Sequence, residues 1–348
     1  MKTLQQPNQQ MGLQPMTLLT WMALISEGYN KQNCLGTAGN YSRTLSNLQS
    51  YLKSRNKKDI PLHQVDGAEV ACYTEWLKTS DKSQNSVAFH LRNLRSAYNK
   101  AVKVKLLPIP EENPFEHVHT NSISTHPRTS ESNVILLLEE LNIPQALIAM
   151  GKKSKRKSFA KMVENMTFAR DAFLFCFYAS GLPFVDFAHL THKNIQDGKL
   201  CYDRQKTGAH IEMKILPQMQ IIIDRYANNG YYLFPVLTET SVKEAYKQYN
   251  KALRKYNHRL RQISLMLHLK TPLSSYAPRH IWACMVYHGG MPESCIKERL
   301  GHGSLDTTRF YLKSFDSSKI DEINIRIIKN IHKKFAGYYE KQACFARC

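Results

Sequence analysis

Three motifs in the last quarter of the chain carry most of what the sequence says about its architecture: Arg279-His280-Ile281-Trp282, Leu300-Gly301-His302 and Thr307-Thr308-Arg309-Phe310-Tyr311. Arg279, His302 and Tyr311 stand 23 and then 9 positions apart. An arginine binds an anion, a histidine donates a hydrogen bond or a proton, and a tyrosine can be a covalent nucleophile. The combination is suited to attack on a phosphodiester.

Residues that typically begin and end helices surround these motifs. Gly289-Gly290 is predicted to end the helix that carries Arg279, and Pro292-Glu293 to start the next one. Gly301 follows the last turn of that second helix and precedes the helix predicted to carry Tyr311. Taken singly, an arginine on a helix is usually a surface charge and a late tyrosine a half-buried core residue. At helix ends, however, such side chains can converge on one site.

The chain carries 48 Lys and Arg residues against 28 Asp and Glu residues, a formal net charge of +20. A surplus of this size is typical of proteins that bind nucleic acid or an anionic membrane surface. No apolar run reaches the ~18 residues of a membrane span, and the nearest candidate, residues 172–185, is interrupted by Ser180, Gly181 and Pro183. The eight cysteines form no CxxC pair and no ligand spacing with histidine, which favours the reducing cytoplasm and predicts no zinc or other metal site and no disulfides.

The first hundred residues after a Gln-rich lead-in show helical periodicity. Apolar side chains recur every three or four positions in two segments: Tyr41, Leu45, Leu48 and Leu52, and then Val87, Leu91, Leu94, Tyr98 and Ala101. Asp66 and Glu69 are predicted to form a capping box, and Ser83 to cap the second of these helices. The other faces of that helix carry Arg92, Arg95, Lys100 and Lys103, which we expect to contact the phosphates of a polyanionic partner.

The second half of the chain mixes helices with a short β-structure. Residues 172–178 are apolar on all sides, which predicts a buried helix. Asp197-Gly198 predicts a turn, and the alternation of apolar and charged residues over 211–215 predicts a strand, so that residues 200–215 form a β-hairpin with a lysine near its tip. The predicted fold is mainly α with a small antiparallel β-hairpin or sheet. The predicted segments are a disordered lead-in (1–16), a helical domain (17–116), a linker (117–133), a catalytic α+β domain (134–318) and a C-terminal tail helix (319–348).

This order of features resembles the tyrosine recombinases, or phage-integrase family, over roughly the whole chain. The resemblance is strongest to the integrases and invertases of Bacteroides-type mobile elements. Four stretches carry it: Gly181-Leu182-Pro183-Phe184-Val185-Asp186, Arg204-Gln205-Lys206-Thr207-Gly208, Ser275-Tyr276-Ala277-Pro278-Arg279-His280 and Tyr311-Leu312-Lys313-Ser314-Phe315. It implies a SAM-like core-binding domain, a catalytic domain, a homotetramer on paired sites of double-stranded DNA, and strand exchange without metal, ATP or other cofactor.

The resemblance also implies roles for single residues. Tyr311 corresponds to the nucleophile that forms a 3′-phosphotyrosyl bond, and Arg279 and His302 correspond to donors to the scissile phosphate. Lys206 resembles the general acid that protonates the 5′-oxygen. Without a catalytic role, Lys206 would be a solvated turn lysine. Arg204 is a rival for the role of general acid, or a DNA contact. Tyr276 stands where the family usually has a histidine, and its hydroxyl can still donate a hydrogen bond.

One position departs from the family. Pro183 stands where its first arginine is expected, and loss of one donor to a developing oxyanion costs about 10²–10³ in rate. Arg170 is the nearest upstream cation but is more than three turns away, so a surface charge is the favoured interpretation. The alternative function is therefore a catalytically weakened, DNA-binding or regulatory homologue. Asp186 is expected to be a cap or an ion-pair partner rather than a metal ligand.

The tail carries an apolar stripe at helical spacing: Ile320, Ile323, Ile327, Ile328 and Ile331. Docking of this stripe on a neighbouring protomer and packing on its own domain are both open at the level of sequence.

Overall fold

A computed structural model describes residues 15–118, 120, 133–152, 157–226, 230–289, 291–301, 321 and 324–331. The chain divides into two compact units, residues 1–126 and 127–348. The segment limits predicted from the sequence remain predictions. No helix within the described residues is long and apolar enough to cross a membrane.

The described residues of the first unit form four α-helices: α1 (Leu18–Lys31), α2 (Leu35–Ser54), α3 (Gly67–Thr79) and α4 (Gln84–Lys103). The two predicted stripes lie in one core, although Leu45 is only half-buried. Ser83 caps α4, and its hydroxyl accepts a hydrogen bond from the N–H of Ser86. The Asp66 carboxylate likewise caps α3 by accepting from the N–H of Glu69 at 2.8 Å. The reciprocal half of the predicted capping box was wrong, because the Glu69 carboxylate accepts from Tyr51 and Arg55 instead.

The second unit is built around a long helix whose last turns are buried. Its described helices are α5 (Val134–Glu140), α6 (Ile143–Ala149), α7 (Lys157–Tyr178), α8 (Phe184–His189), α9 (Pro217–Arg225), α10 (Val242–Met266), α11 (Ala277–His288) and α12 (Glu293–Arg299). Residues 172–178 are all buried, as their apolar sequence predicts, and the burial extends from 171 to 182. Because α5, α6, α8, α9, α10 and α11 all pack against α7, its C-terminal end lies at the centre of the unit.

A three-stranded antiparallel sheet of β1 (Ile195–Gln196), β2 (Lys199–Asp203) and β3 (His210–Lys214) completes the described part of this unit. Leu200 pairs with Met213 and Tyr202 with Ile211, so these apolar side chains share the buried face. The predicted hairpin is confirmed. The two-residue strand β1 is too short to leave a periodic signal, and it pairs with β2 through the predicted turn at Asp197-Gly198, where both residues have positive φ.

The described part of the tail is helical over residues 324–331 and packs on its own unit. Ile328 and Ile331 are buried in the core that surrounds α7, and Ile327 packs against that core. Asn324 accepts a hydrogen bond from Trp282 Nε1 at 2.9 Å. These residues therefore pack on their own domain in the single chain. Ile320 and Ile323 lie outside the described residues.

Candidate active site

Arg279 lies in the first turn of α11 and contacts the tight turn that follows α7. Its Nη1 donates to the carbonyl oxygen of Gly181 at 3.0 Å. Gly181 has φ +76°, and a Cβ at this position would lie 2.9 Å from Arg279 Cα. Only glycine accepts both the left-handed backbone and this close approach. The Gly181-Leu182 motif therefore serves to bring the end of α7 against the backbone of Arg279.

A second arginine meets Arg279 at the corner after α12. The carbonyl oxygen of Leu300 accepts hydrogen bonds from Arg279 Nη2 and from Arg204 Nη1. Gly301, the next residue, has φ +58°, and a Cβ there would lie 3.0 Å from Arg204 Cγ. The corner thus needs glycine for the same two reasons as the turn at Gly181. Arg204 and Arg279 are 7% and 5% exposed, so two buried guanidiniums converge on one carbonyl oxygen.

Asp186 holds Arg204 in this position. Its Oδ2 accepts from Arg204 Nε at 2.6 Å, and its Oδ1 accepts from the N–H of Gln205 at 2.8 Å. The carboxylate lies on α8, three residues after Pro183, and Pro183 is the N-cap of that helix. Of the two roles expected for Asp186, the structure shows the ion pair.

The charges at this corner are not balanced. Arg204 and Arg279 contribute two positive charges and Asp186 one negative charge, which leaves one net positive charge among buried groups. Burial and then the like charge of Arg204 lower the pKa of Arg279 to about 10, so that it remains a cation at neutral pH. Burial raises the pKa of the Asp186 carboxyl above its usual value, although the Gln205 N–H and Arg204 both act to lower it. Such a site favours an incoming anion.

Lys206 is exposed on the turn between β2 and β3, two residues after Arg204. The same turn contacts the corner, because the Thr207 hydroxyl donates to the carbonyl oxygen of Gly301 at 3.1 Å. Tyr276 is 58% exposed just before α11, and its ring lies edge-on to that of His280 at 5.7 Å between centroids. Their catalytic roles remain predictions. His302 and Tyr311 lie outside the described residues.

The predicted DNA-contacting side chains of α4 do not all lie free on one face. Arg92 donates to the carbonyl oxygen of Thr120 at 3.0 Å, and Lys100 Nζ lies 5.9 Å from the centre of the Tyr29 ring. Arg95 is half-buried, and Lys103 is exposed. Their contacts with DNA remain predictions.

The pairing of Arg204 with Arg279 is what sequence reasoning missed. The sequence predicts Arg204 only as a rival of Lys206 or as a DNA contact. Arg170, the cation considered as a replacement for the missing arginine, instead bonds to Asp171 and to the carbonyl oxygen of Leu141. The signal available in the sequence was Asp186, three residues after Pro183. An acidic residue at this place in a buried segment needs a cationic partner. Among the described residues, no three His, Cys, Asp or Glu side chains cluster closely enough to hold a metal ion.

Two family profiles match the chain. The phage integrase SAM-like domain matches residues 17–121, and the phage integrase family matches residues 152–318. The chain belongs to the phage integrase family. It is a site-specific tyrosine recombinase, as the motifs around Arg279 and Tyr311 predict.

Solved structures are similar to this recombinase over most of its length. The Tn1549 transposon integrase in complex with transposon right end DNA is 16% identical, covers 88% of this chain and 98% of its own, and has a TM-score of 0.50. A lambda integrase dimer bound to a COC′ core site is 17% identical, covers 86% of this chain and 98% of its own, and has a TM-score of 0.47. The first likeness supports the predicted helical, two-domain fold with a small sheet. No curated protein sequence matches the recombinase.

Proposed function

We propose that the recombinase binds the scissile phosphate of its DNA site between Arg204 and Arg279 and transfers it to Tyr311. The observation that carries this proposal is the convergence of two buried guanidiniums on the Leu300 carbonyl oxygen, beside the motif that leads to His302. A phosphate offers several anionic oxygens, whereas a single carbonyl oxygen neutralises neither arginine. A bound anion would therefore oppose both the burial and the repulsion by Arg204 that lower the pKa of Arg279.

The proposed step forms one bond and breaks one bond. The phenol oxygen of Tyr311 gives its proton to solvent water and attacks phosphorus, while the bond from phosphorus to the 5′-oxygen breaks. Lys206 donates a proton to that oxygen, which leaves as a 5′-hydroxyl, and the DNA stays attached through a 3′-phosphotyrosyl bond. His302 donates a hydrogen bond to the phosphate. Reversal of the step, with a 5′-hydroxyl of another strand as nucleophile, completes recombination.

Arg204 is proposed to stand in for the missing first arginine. Its guanidinium shares an acceptor with Arg279, and Asp186 orients it from the helix that Pro183 caps. The interpretation of the chain as a weakened homologue depended on an absent cation, and Arg204 supplies one from the hairpin. Lys206, exposed on the same hairpin, is then free to act as the general acid.

The proposed substrate is double-stranded DNA. It is supported by the net charge of +20 and by the similar Tn1549 transposon integrase, which is in complex with transposon right end DNA. Phosphate contacts are proposed for Arg92, Arg95, Lys100 and Lys103. The homotetramer on paired sites, the cytoplasmic location and the kinship with Bacteroides-type elements are proposed from the family resemblance and the motifs that carry it.

Covalent trapping tests the assignment. The recombinase is incubated with a duplex carrying its element's end sequence, and the adduct is resolved on a denaturing gel. We expect an adduct with the native chain and none with Tyr311→Phe. An adduct that persists in Tyr311→Phe would refute the nucleophile.

A bridging 5′-phosphorothiolate separates the roles of Lys206 and Arg204. Its sulfur leaves as a thiolate and needs much less help from an acid, because thiols have a pKa of about 8.5. We expect Lys206→Met to be slow on the normal duplex and restored on the phosphorothiolate. Arg204→Met should remain slow on both, by about 10²–10³. The opposite pattern of rescue would make Arg204 the acid.

A further inference from the structure

A buried ion pair joins Arg299, the last residue of α12, to Asp321 in the C-terminal segment. Arg299 Nη2 lies 2.5 Å from Asp321 Oδ1, and the two side chains are only 3% and 6% exposed. An arginine and a carboxylate at these positions are costly to bury, and a well-packed apolar pair is often as stable. Stability alone is therefore a weak reason for a charged pair here.

The pair is bonded to two further elements of the catalytic unit. Arg299 Nε donates to Ser180 Oγ at 3.2 Å, at the end of α7, and Arg299 Nη1 donates to the carbonyl oxygen of Glu212 in β3. Asp321 Oδ2 accepts from the N–H of Lys214 at 3.3 Å, also in β3. A guanidinium, whose three donor nitrogens lie in one fixed plane, holds these groups in one geometry, which an apolar side chain does not.

These contacts lie next to the phosphate-binding arginines. Ser180 precedes Gly181, whose carbonyl oxygen binds Arg279. Arg299 precedes Leu300, whose carbonyl oxygen binds both Arg204 and Arg279. The end of α7 and the corner after α12, which hold Arg299, thus also position Arg204 and Arg279.

The pair also brackets the nucleophile in sequence. Arg299 stands 12 residues before Tyr311, and Asp321 stands 10 residues after it. Joining two points of a chain restricts the positions available to every residue between them. A nucleophile held near its target reacts far faster than one that must search for it.

We propose that the Arg299–Asp321 ion pair positions Tyr311, by anchoring both ends of its segment to the frame that carries Arg204 and Arg279. The proposal rests on the proposed role of Tyr311 as nucleophile. Arg299 and Asp321 are positioning residues, since they act through Tyr311 and touch no substrate.

Asp321→Asn tests the proposal, with Asp171→Asn as its matched control. Asp171 is an equally buried carboxylate of the same unit, and it pairs with Arg225 and Arg170 rather than with the arginines around Leu300. Both variants keep the side-chain shape and remove one buried negative charge. The measurements are the single-turnover rate of adduct formation at saturating DNA, the Kd for DNA and the Tm. Arg299→Lys, which keeps the charge but loses the planar fork, is a second variant.

We expect Asp321→Asn to form the adduct about 10²-fold more slowly with an unchanged Kd. Asp171→Asn should lower the Tm comparably and leave the rate per folded molecule unchanged. Arg299→Lys should show the slow rate even if Asp321→Asn does not fold. Equal rates for the native chain, Asp321→Asn and Arg299→Lys, or equal slowing by Asp171→Asn, would overturn the positioning role alone. An adduct that survives Tyr311→Phe would instead overturn the nucleophile and, with it, its positioning.

Discussion

Three buried arginines lie around Leu300, and their charges are neutralised in two different ways. Arg299, on one side, is matched one-to-one by Asp321 and bonded to neutral groups. Arg204 and Arg279, on the other side, share the Leu300 carbonyl oxygen and have one carboxylate, Asp186, between them. The Arg299–Asp321 pair is electrically neutral, whereas Arg204, Arg279 and Asp186 together keep one positive charge, which the proposed phosphate would match. Buried charge alone therefore does not mark a functional site, but buried charge in excess of its partners does.

Removing Arg279 should lower the rate of adduct formation strongly and the free energy of unfolding only slightly. Arg279→Met removes a proposed donor to the scissile phosphate, and we expect its loss to cost about 10²–10³ in the rate of adduct formation. The Gly181 carbonyl loses its partner at a cost of about 1–3 kcal/mol, but the repulsion with Arg204 also disappears. Single-turnover cleavage and urea unfolding on the same preparation measure both effects. Normal cleavage by Arg279→Met would show that Arg279 has no role in binding the scissile phosphate.

Removing Arg299 should lower the stability more than removing Arg279 does. Arg299→Met leaves Asp321 buried without its cation, which costs about 3–5 kcal/mol in the free energy of unfolding. Urea unfolding of this variant beside Arg279→Met checks the contrast directly. If the two variants lose equal stability, the distinction between a balanced and an unbalanced arginine does not hold.

Gly301→Ala should disturb the unbalanced pair without touching its charges. The new Cβ would meet Arg204 Cγ at 3.0 Å in a backbone with φ +58°. We expect cleavage to fall by up to about 10²-fold through displacement of Arg204. Gly198→Ala is the control, because Gly198 has φ +73° but a Cβ added there would meet no atom within 4 Å. Equal cleavage rates for the two variants would show that only backbone strain matters.

Inorganic phosphate should stabilise the native chain through the same pair of arginines. At ten times its Kd, a ligand of the folded state adds about 1.4 kcal/mol to the free energy of unfolding. The expected rise in Tm should be absent in Arg279→Met and retained in Asp171→Asn. A rise of the same size in Arg279→Met would place phosphate elsewhere.

The smallest expected effect concerns a half-buried histidine that is uncharged at neutral pH. His90 Nδ1 lies 3.2 Å from Thr44 Oγ1, and burial, with Lys82 and Arg43, lowers the pKa of His90 to about 4. Because the folded pKa lies below the unfolded value of about 6.5, the unfolded state binds the proton first, and stability is lost as pH falls from 6.5 towards 4. His90 is partly exposed, so we expect a loss of about 1 kcal/mol after screening. Unfolding of the native chain and of His90→Gln between pH 7 and pH 4 should show the extra slope only in the native chain.

Local patterns were sufficient for the elements of the fold. The apolar stripe of α4 and the Ser83 cap, the buried end of α7, and the alternation in β3 each depend on neighbours within a few residues. Strand β1 and the bonding of Glu69 to α2 were not predicted, because each depends on a partner elsewhere in the chain: β2 for the strand, and Tyr51 with Arg55 for Glu69.

The sequence by itself indicated the reaction class of this protein. The residue types and spacing of Arg279, Leu300-Gly301-His302 and Tyr311 can be recognised without knowledge of the fold. Only the tertiary structure decided which cation joins Arg279. Arg204 is 75 residues away in sequence, and its place depends on the Asp186 carboxylate and on two glycines that let backbone and side chain approach. The same holds for Arg299 and Asp321, whose charges are visible in the sequence but whose pairing exists only once α7, β3 and the C-terminal segment have packed together. The type of a charged residue does not show which distant residue it will contact, so long-range pairing is decided only by the fold.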